Sequence, residues 1–264
     1  MDTLKITSLF SLGLLFLFFL YPLLLLMYLG WGELATALTT GSFLQSVGLT
    51  VLISTASAAT AVLLGIPTAY VLARYEFKMK EVVEAVIDIP IVVPHTIVGI
   101  MVVLAFAAYG LGPAFSALGL KVIDALPGAI IAVSYLSATY AVRTIESAIR
   151  MLDPELENVA RSLGAGPLRA FAAVVLPNIK RAVANGALLA WARAVSESGA
   201  LLVVAYYVIW GRASIYPAPI YIYQAYIGLG LDEAVKYSAA LLLLVLAIFL
   251  AYRLALSHVG AKRA

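Results

Sequence analysis

Long stretches without a charge dominate the chain. Uncharged runs cover Ile6–Gly32 (27 residues), Leu34–Ala73 (40), Ile89–Leu120 (32), Ala125–Val142 (18) and Tyr237–Tyr252 (16). About 20 residues at 1.5 Å rise cross the hydrocarbon of a bilayer, which makes these runs the raw material of spanning helices. A further region, Ala182–Trp210, is interrupted by Arg193 and Glu197 but is too apolar to be a mere connection. The pattern predicts six transmembrane helices, over 6–29, 44–73, 89–109, 127–147, 180–208 and 236–256. Thr39, Thr40, Gly41, Ser42 and Gln45 predict a loop over Leu38–Ser46. Pro217 and Pro219 predict that 205–226 bridges the last two spans without a long helix.

Composition agrees with a lipid solvent. Of 264 residues, 64% are hydrophobic and 12% charged, which excludes a water-soluble globule. The chain has no cysteine, so disulfides and thiolate metal sites are impossible, and its two histidines, His95 and His258, are too far apart in sequence to seed a metal centre. No metal is expected. Lys5 before a leucine-rich run imitates a secretory signal, but the apolar stretch exceeds a signal's usual length and no small-residue cleavage site follows, so the first span is expected to be retained.

Charge sets orientation. With six spans, 14 of the 17 Lys and Arg fall on the side holding both termini, among them Lys5, Arg74, Lys262 and Arg263; Lys121, Arg212 and Lys236 fall on the other. The positive-inside rule then puts both termini in the cytoplasm. The net charge of +3 reflects this bias rather than nucleic-acid binding.

Most of the basic excess lies between spans four and five, in a segment with its own helical grammar. Asp153 is an N-cap, Pro154 suits the first helical position, Glu155 and Glu157 put negative charge at the helix start, and Gly164, Gly166 and Pro167 stop it. Leu156, Val159, Ala160 and Leu163 fall on one face; Glu155, Asn158, Arg161 and Ser162 lie opposite. A helix of about ten residues is only ~15 Å long and marginal alone, so its apolar face needs a cover. Pattern alone leaves two covers open, the chain's own helix ends or a cytoplasmic protein.

This segment resembles the signature cytoplasmic loop of binding-protein-dependent ABC importer permeases, whose pattern is Glu-Ala-Ala, three residues, Gly, nine residues, then Ile-x-Leu-Pro. Here the glycine is Gly164, and Val174-Val175-Leu176-Pro177 follows nine residues later. The alanine pair falls on Val159 and Ala160 and the glutamate on Asn158, with Glu157 one place earlier. The resemblance runs from about Leu44 to Leu250. The stretches 67–100 and 186–207, with Ile-Pro-Ile-Val-Val-Pro-His-Thr and Ala-Arg-Ala before Ser-Glu-Ser-Gly, look most similar to archaeal tungstate and molybdate permeases. Where that group commonly has Glu-Phe-Gly, this chain has Glu197-Ser198-Gly199.

The resemblance implies an all-α polytopic permease: one transmembrane domain, 1–264, with a core region of about 44–256 and a coupling segment of about 150–178. It implies a short coupling helix between spans four and five that docks on a separate ATPase through Glu155, Glu157, Asn158, Val159, Ala160, Arg161, Ser162, Leu163 and Gly164. The implied assembly is two copies of this chain, two ATPase subunits that hold the ATP and magnesium, and an external binding protein loaded with a small oxyanion. The chain itself would carry no cofactor and perform no catalysis. Gly-x-x-x-x-Gly-Lys-[Ser/Thr] occurs nowhere in it.

Within the spans, Arg193 and Glu197 are an i, i+4 pair and candidates for an inner gate or for a neutral packing pair. Thr96, Ser196 and Ser198 are candidates to line the pathway or to bond their own backbone. His95 reads as a polar residue beside a kink set by Pro90 and Pro94, rather than as a ligand. The tyrosines between 206 and 226 fit either an interfacial belt or a receiving surface for an external protein. Sulfate or another anion is the alternative cargo. An ATP-independent secondary transporter is the rival mechanism, while an intramembrane hydrolase lacks a Ser–His context.

Overall fold

The computed structural model describes residues 3–261; Lys262 and Arg263, counted in the charge tally, lie outside them. The first helix, α1 (Thr3–Gly30), runs through one 3₁₀ turn into α2 (Leu34–Thr39), and α3 (Gly41–Arg74) starts after a single non-helical residue, Thr40. The loop expected over Leu38–Ser46 is therefore absent. Its hydroxyls are absorbed by the helices: Thr39 and Thr40 donate to the Thr36 carbonyl at 3.1 and 2.8 Å, and Ser46 to that of Ser42 at 3.0 Å. Such back-bonding lets polar side chains stay helical in an apolar medium.

The third span is not one rod. Helix α4 (Lys80–Val92) and helix α5 (His95–Val103), with the wide turn Leu104–Ala108 that extends it, meet at 113°. Pro94 has no N–H to continue the ladder and holds Val93 extended (φ −76°, ψ 132°), which breaks the span. After α6 (Gly112–Ala117), α7 (Leu126–Met151) matches the fourth predicted span with longer ends. Then come α8 (Glu155–Ser162), α9 (Pro167–Ala170) and α10 (Leu176–Val195). The fifth predicted span, 180–208, also breaks: α10 stops at Val195, and only α11 (Leu201–Val204) resumes before a two-stranded hairpin.

In that hairpin β1 (Val208–Trp210) pairs antiparallel with β2 (Ala213–Ile215), Ile209 opposite Ser214. It is a small departure from an all-α fold. The prolines expected to prevent a helix after it instead start one, because Pro217 and Pro219 sit where helical N–H partners are not needed: α12 covers Ala218–Leu229. The last helix, α13, spans Leu231–Ala261. Tyr221 packs against Phe43 and Tyr237, and Tyr206 and Tyr207 against Tyr216, so four of the six tyrosines between 206 and 226 are packed within the chain.

Among the described residues four helices are long and apolar enough to cross a bilayer, Thr3–Thr39, Gly41–Arg74, Leu126–Met151 and Leu231–Ala255; the bent α4–α5 pair makes a fifth if it is one span. Helices α3, α7 and α10 form the centre, joined where Ala58 and Ala61, Ala141 and Ala190 are all buried together. Small residues allow backbones to approach where apolar burial gives no net drive between helices in lipid. Around this centre, α5 crosses α11 at Gly99, where a Cβ would stand 2.8 Å from both the Ala200 oxygen and the Val203 Cβ. In contrast, α1 shows none of its apolar window buried inside the chain.

Replacing Gly99 by leucine should destabilise the chain by about 1–3 kcal/mol through overpacking at this crossing. Gly13→Leu, on α1 with open space around it, should leave thermal unfolding of the detergent-purified protein unchanged. Equal melting of Gly99→Leu and the parent would contradict the close crossing.

Candidate functional site

Two groups of side chains stand out, one at α8 and one where the broken helices meet. At α8 the expected start forms: Asp153 Oδ1 accepts the Glu155 N–H at 2.9 Å and the Asp153 carbonyl accepts that of Leu156 at 3.2 Å. The stop forms too. Gly164 takes φ +88°, a conformation open to glycine, and the Gly164 and Ala165 N–H groups turn back to the carbonyls of Arg161 and Ala160.

The apolar face is not covered by the chain. Leu156, Val159 and Leu163 are 45, 52 and 83% exposed, with Ala160 alone half-buried. Instead the helix is fastened by a charge. Glu157 is buried; its Oε1 accepts from Arg74 Nε at 2.7 Å and its Oε2 from the Tyr70 hydroxyl at 2.7 Å, both on α3. A second Arg74 nitrogen donates to the Leu152 carbonyl at 2.9 Å. Of the predicted docking set, then, Glu157 faces inward and belongs to the chain's own packing, a correction to the sequence reading. Glu155, Asn158, Arg161 and Ser162 are exposed; Asn158 donates to Glu155 at 3.0 Å and its carbonyl accepts from Ser162 at 3.0 Å.

Next to this anchor runs an ionic ladder that the sequence reading missed. Arg143 grips Asp88 with two nitrogens at 2.9 and 2.6 Å and reaches Glu146 at 2.8 Å; Arg150 takes the other Glu146 oxygen at 2.7 Å and Glu84 at 3.1 Å. This joins α4 to α7. The spacing Arg143, Glu146, Arg150 was visible as i, i+3 and i, i+4 pairs on one helix; the α4 carboxylates were not assignable without the fold. At the start of α4, Lys80 donates to Glu76 in the connection before it at 2.7 Å and holds that exposed carboxyl below its ordinary pKa.

The second group lies at the two helix breaks. Glu197 is fully buried, and its Oε1 accepts the Ala200 N–H at 2.8 Å, closing the turn between α10 and α11. Its Oε2 accepts from Arg193 Nη2 at 2.8 Å, as the i, i+4 spacing predicts. The same oxygen lies 3.3 Å from His95 Nδ1, and Arg193 Nη2 is 2.7 Å from His95 Nε2. The same Arg193 nitrogen is also 3.1 Å from Nδ1, so the imidazole lies against both the guanidinium and the carboxylate, its donor and acceptor roles set by its tautomer. His95 is thus part of the cluster, against the sequence expectation. Gly199 permits this approach: a Cβ there would stand 2.8 Å from the His95 Cβ.

Ser196 and Thr96 are exposed beside this cluster, and Ser196 Oγ donates to the Arg193 carbonyl at 2.9 Å. Ser198 is not part of it; it lines a separate hollow with Leu202, Pro219 and Tyr223. A cavity of about 660 Å³ among α3, α4, α5 and α7 has an almost wholly apolar lining that includes none of His95, Arg193 and Glu197.

Long apolar helices, two of them interrupted beside the His95–Arg193–Glu197 cluster, define a helical membrane protein. Residues 61–261 match the family described as binding-protein-dependent transport system inner membrane component, and the chain belongs to that family of ABC importer permeases. It is 42% identical over 156 residues to the molybdate/tungstate transport system permease protein WtpB of Pyrococcus abyssi (strain GE5 / Orsay), covering 59% of this chain and 58% of that one. The match thus spans under two thirds of that relative's length. The corresponding protein of Methanocaldococcus jannaschii is 35% identical over 194 residues, 74% of each chain. The sulfate transport system permease protein CysW of a Synechocystis strain is 32% identical over 208 residues, 78% of this chain and 74% of that one. In fold, a bacterial ABC transporter involved in the import of the acidic polysaccharide alginate superposes with a TM-score of 0.72 at 18% identity, over 97% of this chain and 96% of that one.

Glu157→Ala should leave Arg74 buried without its carboxylate, a loss of about 3–5 kcal/mol. Amides of 153–165 should then exchange at least about 100-fold faster by hydrogen–deuterium exchange while those of α7 keep their protection. Tyr70→Phe, which spares the ion pair, should cost about 1 kcal/mol. Unchanged exchange of α8 in Glu157→Ala would remove its role as anchor.

Proposed function

We propose that this chain is the membrane-spanning subunit of an ATP-driven importer that passes a small oxyanion, molybdate or tungstate, from an external binding protein into the cytoplasm by alternating access. The observation that carries the mechanism is the bare apolar face of a helix rigidly fastened to the bundle. Leu156, Val159 and Leu163 project from α8, while Glu157 ties its back to Arg74. A face of that kind is a handle for a separate protein, which grips it by apolar packing and moves the helix it is tied to.

In this reading six spans cross the cell membrane, α1, α3, the bent α4–α5 pair, α7, the α10–α11 pair and α13, with both termini and α8 in the cytoplasm. Helix α8 is the coupling helix. Two copies of the chain enclose the pathway, and two ATPase subunits, which hold the ATP and magnesium, draw the two α8 helices together when they close. Nucleotide drives the change only through its different affinity for the two states. Thr96, Arg193, Ser196 and Glu197 are the pathway or gate residues on this chain, joined by His95, with Ser198 set apart in the hollow beside Leu202.

The cargo rests on the relatives. Proteins at 34 to 42% identity include molybdate/tungstate permeases of several archaea and a probable sulfate permease, so sulfate is the second reading. Uptake of labelled molybdate, tungstate and sulfate into vesicles holding the chain, its ATPase and its binding protein separates the two. Uptake without the ATPase would instead reveal a secondary transporter.

Gly164→Val, which forces a branched side chain into φ +88°, and Leu163→Glu, which charges the exposed face, should each lower ATPase co-purification at least tenfold with membrane insertion unchanged. Normal complex yield from both variants would count against α8 as the docking element.

A further inference from the structure

The breaks between α4 and α5 and between α10 and α11 bring together the groups a dianion needs, and also one group that repels it. Trp191, half a turn before Arg193, donates to Thr55 Oγ1 at 3.3 Å, and Thr55 lies ~21 Å along the 34-residue α3. The cluster therefore sits near mid-height of the central helices. Around it, His95 is 42% exposed at its side chain and Arg193 15%. Arg193 Nη1 reaches Ser196 Oγ at 3.4 Å, longer than a good N–H···O bond and so readily given to another acceptor. Thr96, next to His95 in the chain, and Ser196, whose hydroxyl donates to the Arg193 carbonyl at 2.9 Å, are both exposed. Such a polar surface is costly against lipid and belongs on a water-filled space.

We propose that this surface is the transient binding station for the oxyanion, and that Glu197 is its built-in competitor. The proposal rests on the importer reading above and deepens it. With no cargo present, Glu197 neutralises Arg193 through Nη2. An arriving tetrahedral oxyanion takes Nη1 and the Ser196 and Thr96 hydroxyls, while the fixed negative charge of Glu197 on the far side of the same guanidinium weakens its hold. A binding protein must hold its anion, but a conduit must release it. Glu197 sets that release: it is held by Arg193, His95 and the Ala200 N–H and so cannot swing away when the anion arrives.

Glu197→Gln keeps an acceptor for the Ala200 N–H and removes the competing charge. Equilibrium binding of labelled molybdate to the detergent-purified chain, without ATPase, should tighten at least tenfold in Glu197→Gln. Arg193→Gln should bind at least tenfold more weakly than the parent. In reconstituted vesicles Glu197→Gln should show a lower KM and a lower kcat, the signature of a trapped ion. Should Glu197→Gln leave its arginine too costly to fold around, the neutral pair Arg193→Gln/Glu197→Gln decides the matter: its binding should be lost, and parental binding by that double variant overturns the station. Equal molybdate affinity in the parent and a folded Glu197→Gln overturns the competitor role. The same arms keep the two readings apart, because a parent complex that transports none of the three oxyanions sinks the importer reading, whereas active transport with unaltered binding in the variants sinks only this inference.

Discussion

A single buried carboxylate fastens the small helix α8 to the bundle. Eight residues cannot hold a helix in water, and the apolar side that normally supplies the missing stability faces outward here. Glu157 replaces it. Held by Arg74 and Tyr70 at 2.7 Å each, it ties α8 to the 34-residue α3, one of the central helices. An ion pair in this position also keeps its geometry better than an apolar contact, because a carboxylate with two donors at fixed angles leaves little freedom to roll.

Lipid imposes the second constraint. An interrupted helix in hydrocarbon exposes backbone groups that need partners, so a break persists only where something else supplies them. At the α10–α11 break that partner is Glu197, which takes the Ala200 N–H; along α4, Thr139 of α7 donates to the Ile87 carbonyl at 2.6 Å. The two breaks also fall against one another, with Gly199 next to His95 and Gly99 next to Ala200. Two of the interruptions in the helices thus share one place, beside the unbroken helix α7.

Much of this was legible in the sequence, for identifiable reasons. Charge-free runs gave the existence of the long helices, since lipid tolerates little else, and the Asp153–Gly164 segment declared its own start and stop through capping chemistry that works within a few residues. The Arg193–Glu197 pair followed from helical spacing. What escaped was long-range or depended on a partner. His95 lies 98 residues from Arg193, and nothing local distinguishes it from a polar bystander. Glu157 read as a charge at the helix start and a docking contact because its partners Tyr70 and Arg74 lie on another helix. The missing loop at Leu38–Ser46 shows the reverse error: hydroxyls that signal a turn in water bond to their own helix in lipid.

The bent span is fixed to its neighbours by two unlike materials. Its α4 arm is bolted to α7 by Arg143, Asp88, Glu84 and Arg150, whereas its α5 arm lies against α11 by virtue of a missing side chain at Gly99. Inheritance should therefore police the two arms by different rules. At Asp88 and Glu84 a change is tolerable when it preserves sign; at Gly99 it is tolerable when it preserves slightness. A drift in salinity acts on the first joint and leaves the contact at Gly99 indifferent, so the elbow at Pro94 separates a joint made of charge from one made by an absent side chain.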